Sequence, residues 1–235
     1  MNRDVDIRKR ALITGTAVTG IITTAGLIPP SLAVARSKEE KEKTEVTPPE
    51  DLMREHGMLD RVLLVYEAGL RKFAAKEDFD PSVMTRAAEI VREFIHNYHE
   101  ESEEHAVFPR FKKAGKMVDL VDTLLIQHKA GRGVTETILR TAPGSRQDGE
   151  DRRQLTDSVR AFIAMYRPHA AREDTELFPM LRSLVSAHEF DAMAEDFERK
   201  EHQLFGDDGF EMMTKRVADL ERQTGINDLS QFTPR

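Results

Sequence analysis

The chain has 235 residues, 39% of them apolar, which suffices for one packed domain with extensions. It contains no cysteine, so thiolate zinc sites, iron–sulfur clusters, dithiol redox chemistry and disulfides are excluded, and any metal must be held by nitrogen and oxygen. A formal charge of −7, no tryptophan and 6% aromatic residues exclude a nucleic-acid binder, which needs a basic patch and stacking rings.

The chain opens with Arg8-Lys9-Arg10, an uncharged run from Ala11 to Ile28, then Pro29-Pro30 and Ala33-Val34-Ala35. This is the layout of an export signal over residues 1–35, cut after Ala35. The alternative is an uncleaved membrane anchor through residues 11–28, which is near the length of a span although rich in Thr and Gly. Either form places the rest of the chain in the periplasm or facing it. Residues 36–49 are charged, end in Pro48-Pro49 and read as a solvated linker.

From there the pattern is helical, with no competing strand alternation. The first helix is expected from Glu50 to Ala75. The second opens at Asp80-Pro81, a cap followed by a proline at the first helical position, and stops near Gly115. The third covers Lys116 to Thr141 and the fourth runs from the loop ending at Glu150 to Val185. Shorter helices follow near 187–204 and 210–224. The fold expected is an all-α, up-down four-helix bundle over residues 50–185 with a C-terminal helical extension over 186–235.

Each of the four apolar stripes carries a histidine. They are His56 with Leu59, Leu63 and Leu70; His99 with Val91, Ile95 and Ala106; His128 with Val121, Leu124, Leu125, Thr135 and Leu139; and His169 with Val159, Phe162 and Tyr166. The second and fourth stripes also carry Glu103 and Glu173, one turn after their histidines. These two belong to an internal repeat, since His99-x3-Glu103-Glu104-x3-Phe108-Pro109 recurs as His169-x3-Glu173-Asp174-x3-Phe178-Pro179 at an offset of 70. Upstream, Phe94-Ile95-x2-Tyr98 matches Phe162-Ile163-x2-Tyr166 at an offset of 68, so the second copy has gained Arg167-Pro168. A proline there is expected to kink or widen the helix.

The i, i+4 spacing puts an imidazole and a carboxylate on one helix face, forming a chelating pair. Two such pairs and two lone histidines converging in an apolar core would be costly without positive charge, and a pair of metal ions supplies it. Nitrogen and carboxylate donors suit iron, manganese or zinc. Ferritin-like di-iron bundles use Glu-x-x-His pairs, and none of the four stripe histidines has a glutamate three residues before it. His96, His105, His188 and His202 read as surface residues, Tyr98 and Tyr166 as core residues or hydrogen-bond donors behind the ligands, and the two Phe-Pro pairs as helix closures.

The order of Glu55-His56-Gly57-Met58-Leu59-Asp60, His-x3-Glu-Glu to Phe-Pro, Gln127-His128 and a second His-x3-Glu-Asp to Phe-Pro resembles the hemerythrin-like, cation-binding domains of bacteria. The resemblance implies two iron ions joined by an oxo or hydroxo bridge and by Glu103 and Glu173, with His56, His99, His128 and His169 as terminal ligands. Asp174 competes with Glu173, because oxygen-carrying members use an Asp five residues after the histidine. Those members also have a fifth histidine where Arg132 stands here. The substitution leaves two positions open for exogenous ligands, unless His96, Asp60, Glu104, Glu201 or His202 fills one. The expected partner is a small diatomic ligand or peroxide. The expected function is oxygen or nitric oxide binding for storage, delivery or sensing, with reduction of peroxide or nitric oxide, or oxidation of iron, as the enzymatic alternative. A third reading has the metal only tying the helices together.

Overall fold

The computed structural model describes residues 46–234, so the expected export segment and most of the linker lie outside the described residues. Among the described residues every regular element is helical. Helix α1 (Pro48–Ala74) starts within the expected linker, because Thr47 and Glu50 form a reciprocal capping box and Pro48 sits at the first position. Helix α2 (82–114) starts where Asp80 accepts hydrogen bonds from the Ser82 backbone (3.0 Å) and hydroxyl (2.7 Å). It stops at Gly115, whose φ of 62° is left-handed. Helices α3 (Val118–Thr141) and α4 (150–184) complete the bundle. Helix α5 (Ala187–Phe205) begins with a second capping box, Ser186 with Glu189, and α6 (Gly209–Thr224) ends at Gly225.

The core falls into two apolar clusters, and each bundle helix crosses from one to the other. Helix α1 runs from Leu52 in the smaller cluster to Met58, Leu59 and Val62 in the larger, and α2 returns from Phe94 and Tyr98 to Val107 and Phe108. Helix α3 goes from Leu124 to Ile138, and α4 comes back from Phe162 and Tyr166 to Leu177 and Phe178. This is the up-down-up-down order, and the four stripe histidines lie between the clusters. The C-terminal helices complete both clusters: Met213, Val217 and Leu220 of α6 belong to the larger, and Met193 and Phe197 of α5 to the smaller. Arg61 of α1 grips Glu221 of α6 with two hydrogen bonds of 2.8 and 2.7 Å.

Two of the long helices widen into π turns, over Val91–His99 and Glu103–Val107 in α2 and over Glu173–Leu177 in α4. The extra residue per turn brings positions inward that an α-helical stripe would leave outside. In α2, His96, His99, Glu100, Ser102 and Glu103 are all buried. His96 is therefore a core residue, 3% exposed, and not the solvated one expected. The expected effect of Pro168 is also corrected: α4 stays α-helical through it, and the widened turn at Glu173 has its twin at Glu103, where no proline precedes. The Phe-Pro pairs do not close their helices either, since each opens a further α-helical segment, Phe108–Ala114 and Phe178–Leu184. Proline is tolerated there as at any helix start.

Candidate metal centre

The six residues read from the stripes meet in one buried layer. His56 and His99 approach Nε2 to Nε2 at 3.0 Å, and His128 and His169 do so at 3.2 Å. Glu103 lies between the pairs, with Oε2 at 3.6 Å from His99 Nε2 and 3.4 Å from His128 Nε2. Glu173 does the same on the other side, 3.4 Å from His56 Nε2 and 3.1 Å from His169 Nε2. Two ligand trios result, His56, His99 and Glu103 in one, His128, His169 and Glu173 in the other. Neither carboxylate oxygen of Glu103 or of Glu173 has a hydrogen-bond partner, although both side chains are fully buried. Unpartnered buried carboxylates are strongly unfavourable, and a cation between them removes the deficit. The donor set therefore fits a pair of metal ions.

The titration behaviour of the protein groups has the same origin. Burial and the facing charge of Glu173 push Glu103 well above the usual carboxylate range. Against the cost of its burial, Glu173 is held down by His169 and His56. His99 is driven well below its ordinary value by burial and by His56. Despite burial, His56 rises to about 9 because Asp174 accepts from its Nδ1 and the charge of Glu173 lies close to its Nε2. Facing carboxylates and facing imidazoles cannot all take their charged forms in so small an apolar space.

Behind the ligands, every Nδ1 atom has a partner, which frees Nε2 to face the centre. His56 bonds Asp174 (2.7 Å), His99 bonds Glu55 (2.5 Å), His128 bonds Glu104 (2.9 Å) and His169 bonds the Gln127 side-chain oxygen (2.9 Å). Asp174 thus faces the outer nitrogen of His56, and Glu173 is the carboxylate in the layer. The rings of Phe178 and Phe108 stack on His56 and His128 at 5.6 and 5.5 Å. The repeated Phe thus holds the lone histidine of a neighbouring helix, a role the sequence does not announce.

The candidates for a further ligand are engaged elsewhere or, in the case of Asp60, exposed. Arg132 spans Glu104 (2.7 Å) and Glu100 (3.0 Å), and Glu104 is held at about 2 by His128 and Arg132 although burial opposes it. His96 bonds Glu100 through Nδ1 and Thr135 through Nε2, both at 2.8 Å. The residue three before it, Glu93, pairs with Arg216 at 2.6 Å, so this Glu-x-x-His does not chelate. Glu201 accepts the Phe210 backbone N–H at 2.6 Å, His202 is exposed beside Asp207, and Asp60 is exposed. His105 and His188 are exposed as expected. Tyr166 donates to Glu100, and Tyr98 to the Phe197 carbonyl at 3.4 Å.

Sequence reasoning missed Glu55, Gln127 and Glu100. The first two immediately precede the lone histidines His56 and His128, a signal available once the two halves of the bundle are compared. Glu100 stands four residues after His96 in the same spacing as His99 and Glu103, but only the widened helix turns both pairs inward.

A family model described as the hemerythrin HHE cation binding domain matches residues 47–181. Proteins of Mycobacterium bovis and of two strains of Mycobacterium tuberculosis, each described as uncharacterized, are 45% identical over 195 residues, covering 83% of this chain and 76% of each relative. No solved structure gives a significant match.

Proposed function

Because this chain belongs to the hemerythrin HHE cation-binding family, we propose that it holds two iron ions and binds dioxygen or nitric oxide for storage, delivery or sensing. Glu103 and Glu173, together with His56, His99, His128 and His169, would hold the ions. The observation that carries this reading is the set of four unpartnered carboxylate oxygens in the buried layer, faced by four inward Nε2 atoms. Such a metal pair supplies the electrons and open positions that a diatomic ligand needs. The chain supplies orientation through the Nδ1 partners and a dry setting through the two apolar clusters.

A second reading, an enzyme that reduces peroxide or nitric oxide or oxidises iron, is favoured by one observation. Arg132, His96, Glu104, Glu201 and His202 are all committed to other partners, so none competes with an exogenous ligand. Anaerobic loading with ferrous iron, followed by absorption spectra before and after oxygen or nitric oxide, separates the two. A stable, reversible charge-transfer band supports the binding protein. Rapid bleaching with peroxide turnover supports the enzyme.

The export layout of residues 1–35 supports a periplasmic or periplasm-facing setting for either role. Among the described residues, no helix is long and apolar enough to cross a membrane.

A further inference from the structure

The bundle is a pseudo-twofold arrangement in which α1 and α2 correspond to α3 and α4. Glu103 and Glu173 are counterparts, as are Glu104 and Asp174, each of which accepts from the lone histidine of another helix. The stacking rings Phe108 and Phe178 follow the same rule. By this symmetry Glu55-His56 on α1 corresponds to Gln127-His128 on α3, and both preceding residues take the Nδ1 of the repeat histidine, Glu55 that of His99 and Gln127 that of His169. The correspondence extends one turn further, to Asp60 and Arg132.

The charges on these counterparts differ. Behind His56 and His99 stand two carboxylates, Asp174 and Glu55, at 2.7 and 2.5 Å. Each is a carboxyl group set directly against the outer nitrogen of a ligand imidazole. Behind His128 and His169 stand Glu104, offset by the Arg132 guanidinium at 2.7 Å, and the neutral Gln127. Glu100, the next carboxylate on that side, is held by the same guanidinium at 3.0 Å. Both hydrogen bonds there are 2.9 Å, longer than the two on the other side.

From this broken symmetry we infer that the two half-sites are unequal: His56 and His99, backed by Asp174 and Glu55, bind a divalent cation first and more tightly, and Gln127 sets the weakness of the His128 and His169 half. A carboxylate on Nδ1 makes an imidazole a stronger donor to a cation, and removing such a partner lowers metal affinity by about 10–100-fold. The inference rests on the two-metal reading above and deepens it by giving the order of loading and the residues that impose it.

The test is calorimetric titration of the metal-free full chain with zinc, a redox-inert probe, repeated with cobalt(II) and read by its absorption bands. Wild type is expected to bind two ions in two resolved steps differing by about 10-fold or more. Glu55→Gln and Asp174→Asn should each weaken the tighter step by about 10–100-fold and leave the weaker one in place. Asp174 is partly exposed, so its variant remains informative if the buried Glu55 change disturbs folding. Gln127→Glu should tighten the weaker step and draw the two together, a gain that a purely structural role for Gln127 would not give. Two ions bound in a single unresolved step, or an unchanged weaker step in Gln127→Glu, would overturn the inequality while leaving the two-metal site standing. Fewer than two ions would overturn both.

Discussion

At the scale of single residues, the site is built by side chains that are satisfied away from the metal layer and unsatisfied within it. His56, His99, His128, His169, Glu103 and Glu173 were legible in the sequence because each is a polar residue on an apolar stripe, and four of them make up the two copies of a repeated chelating pair. Glu55 and Gln127 were not, because a residue beside a ligand in sequence normally points away from it, and only the close pairing of α1 with α2 and of α3 with α4 brings them to Nδ1. Gly131 is a further case. A Cβ there would lie 2.3 Å from the Tyr166 hydroxyl and within 3 Å of two of its ring atoms, so the phenol occupies the space a side chain would need. Gly131→Ala is therefore expected to displace Tyr166 from Glu100 and destabilise the fold by about 1–3 kcal/mol, measured by chemical denaturation. Asp51 gives a pH signature. Burial, with the neighbouring Glu55 charge, raises it to about 7. Its folded-state proton stabilises the chain fully below the unfolded value of about 3.9, and this contribution is lost as pH rises through about 7. Metal-free Asp51→Asn should therefore gain more stability over wild type at pH 8 than at pH 5, by roughly 1–2 kcal/mol, less than the full linkage value because Arg54 pairs with Asp51. An equal effect at the two pH values, read from thermal melts, would exclude this origin.

At the scale of elements, helix identity and order followed from periodicity, capping residues and Pro or Gly punctuation. Their ends moved by only a few residues, as where Thr47 and Glu50 draw the start of α1 back to Pro48. The π turns were not legible. They alter how many residues face inward without changing the apolar pattern that announces a helix, and Pro168, where a widened turn was expected, sits in α-helix. Their consequence is local and large, since the buried His96, Glu100 and Glu103 depend on them. The C-terminal helices also do more than a trailing extension would. Leu220 of α6 is 2% exposed within the larger cluster, so Leu220→Ala is expected to cost about 2–5 kcal/mol and lower the midpoint of denaturation of the whole bundle. An independent C-terminal unit would instead unfold in a separate transition.

At the scale of the molecule, two apolar clusters hold a polar layer between them, and the bundle resists collapse of that layer because each outer nitrogen is already bonded. The layer's remaining requirement is positive charge between Glu103 and Glu173, and this is the central claim. Its most direct measurement is the metal content of purified, anaerobically iron-loaded protein, by elemental analysis alongside circular dichroism. Two iron ions per folded chain are expected for wild type and for His105→Ala, with loss of bound iron and retained helix in His99→Ala and Glu103→Ala. A wild-type chain that folds fully with less than one ion bound, or a His99→Ala variant that keeps both, would contradict the account.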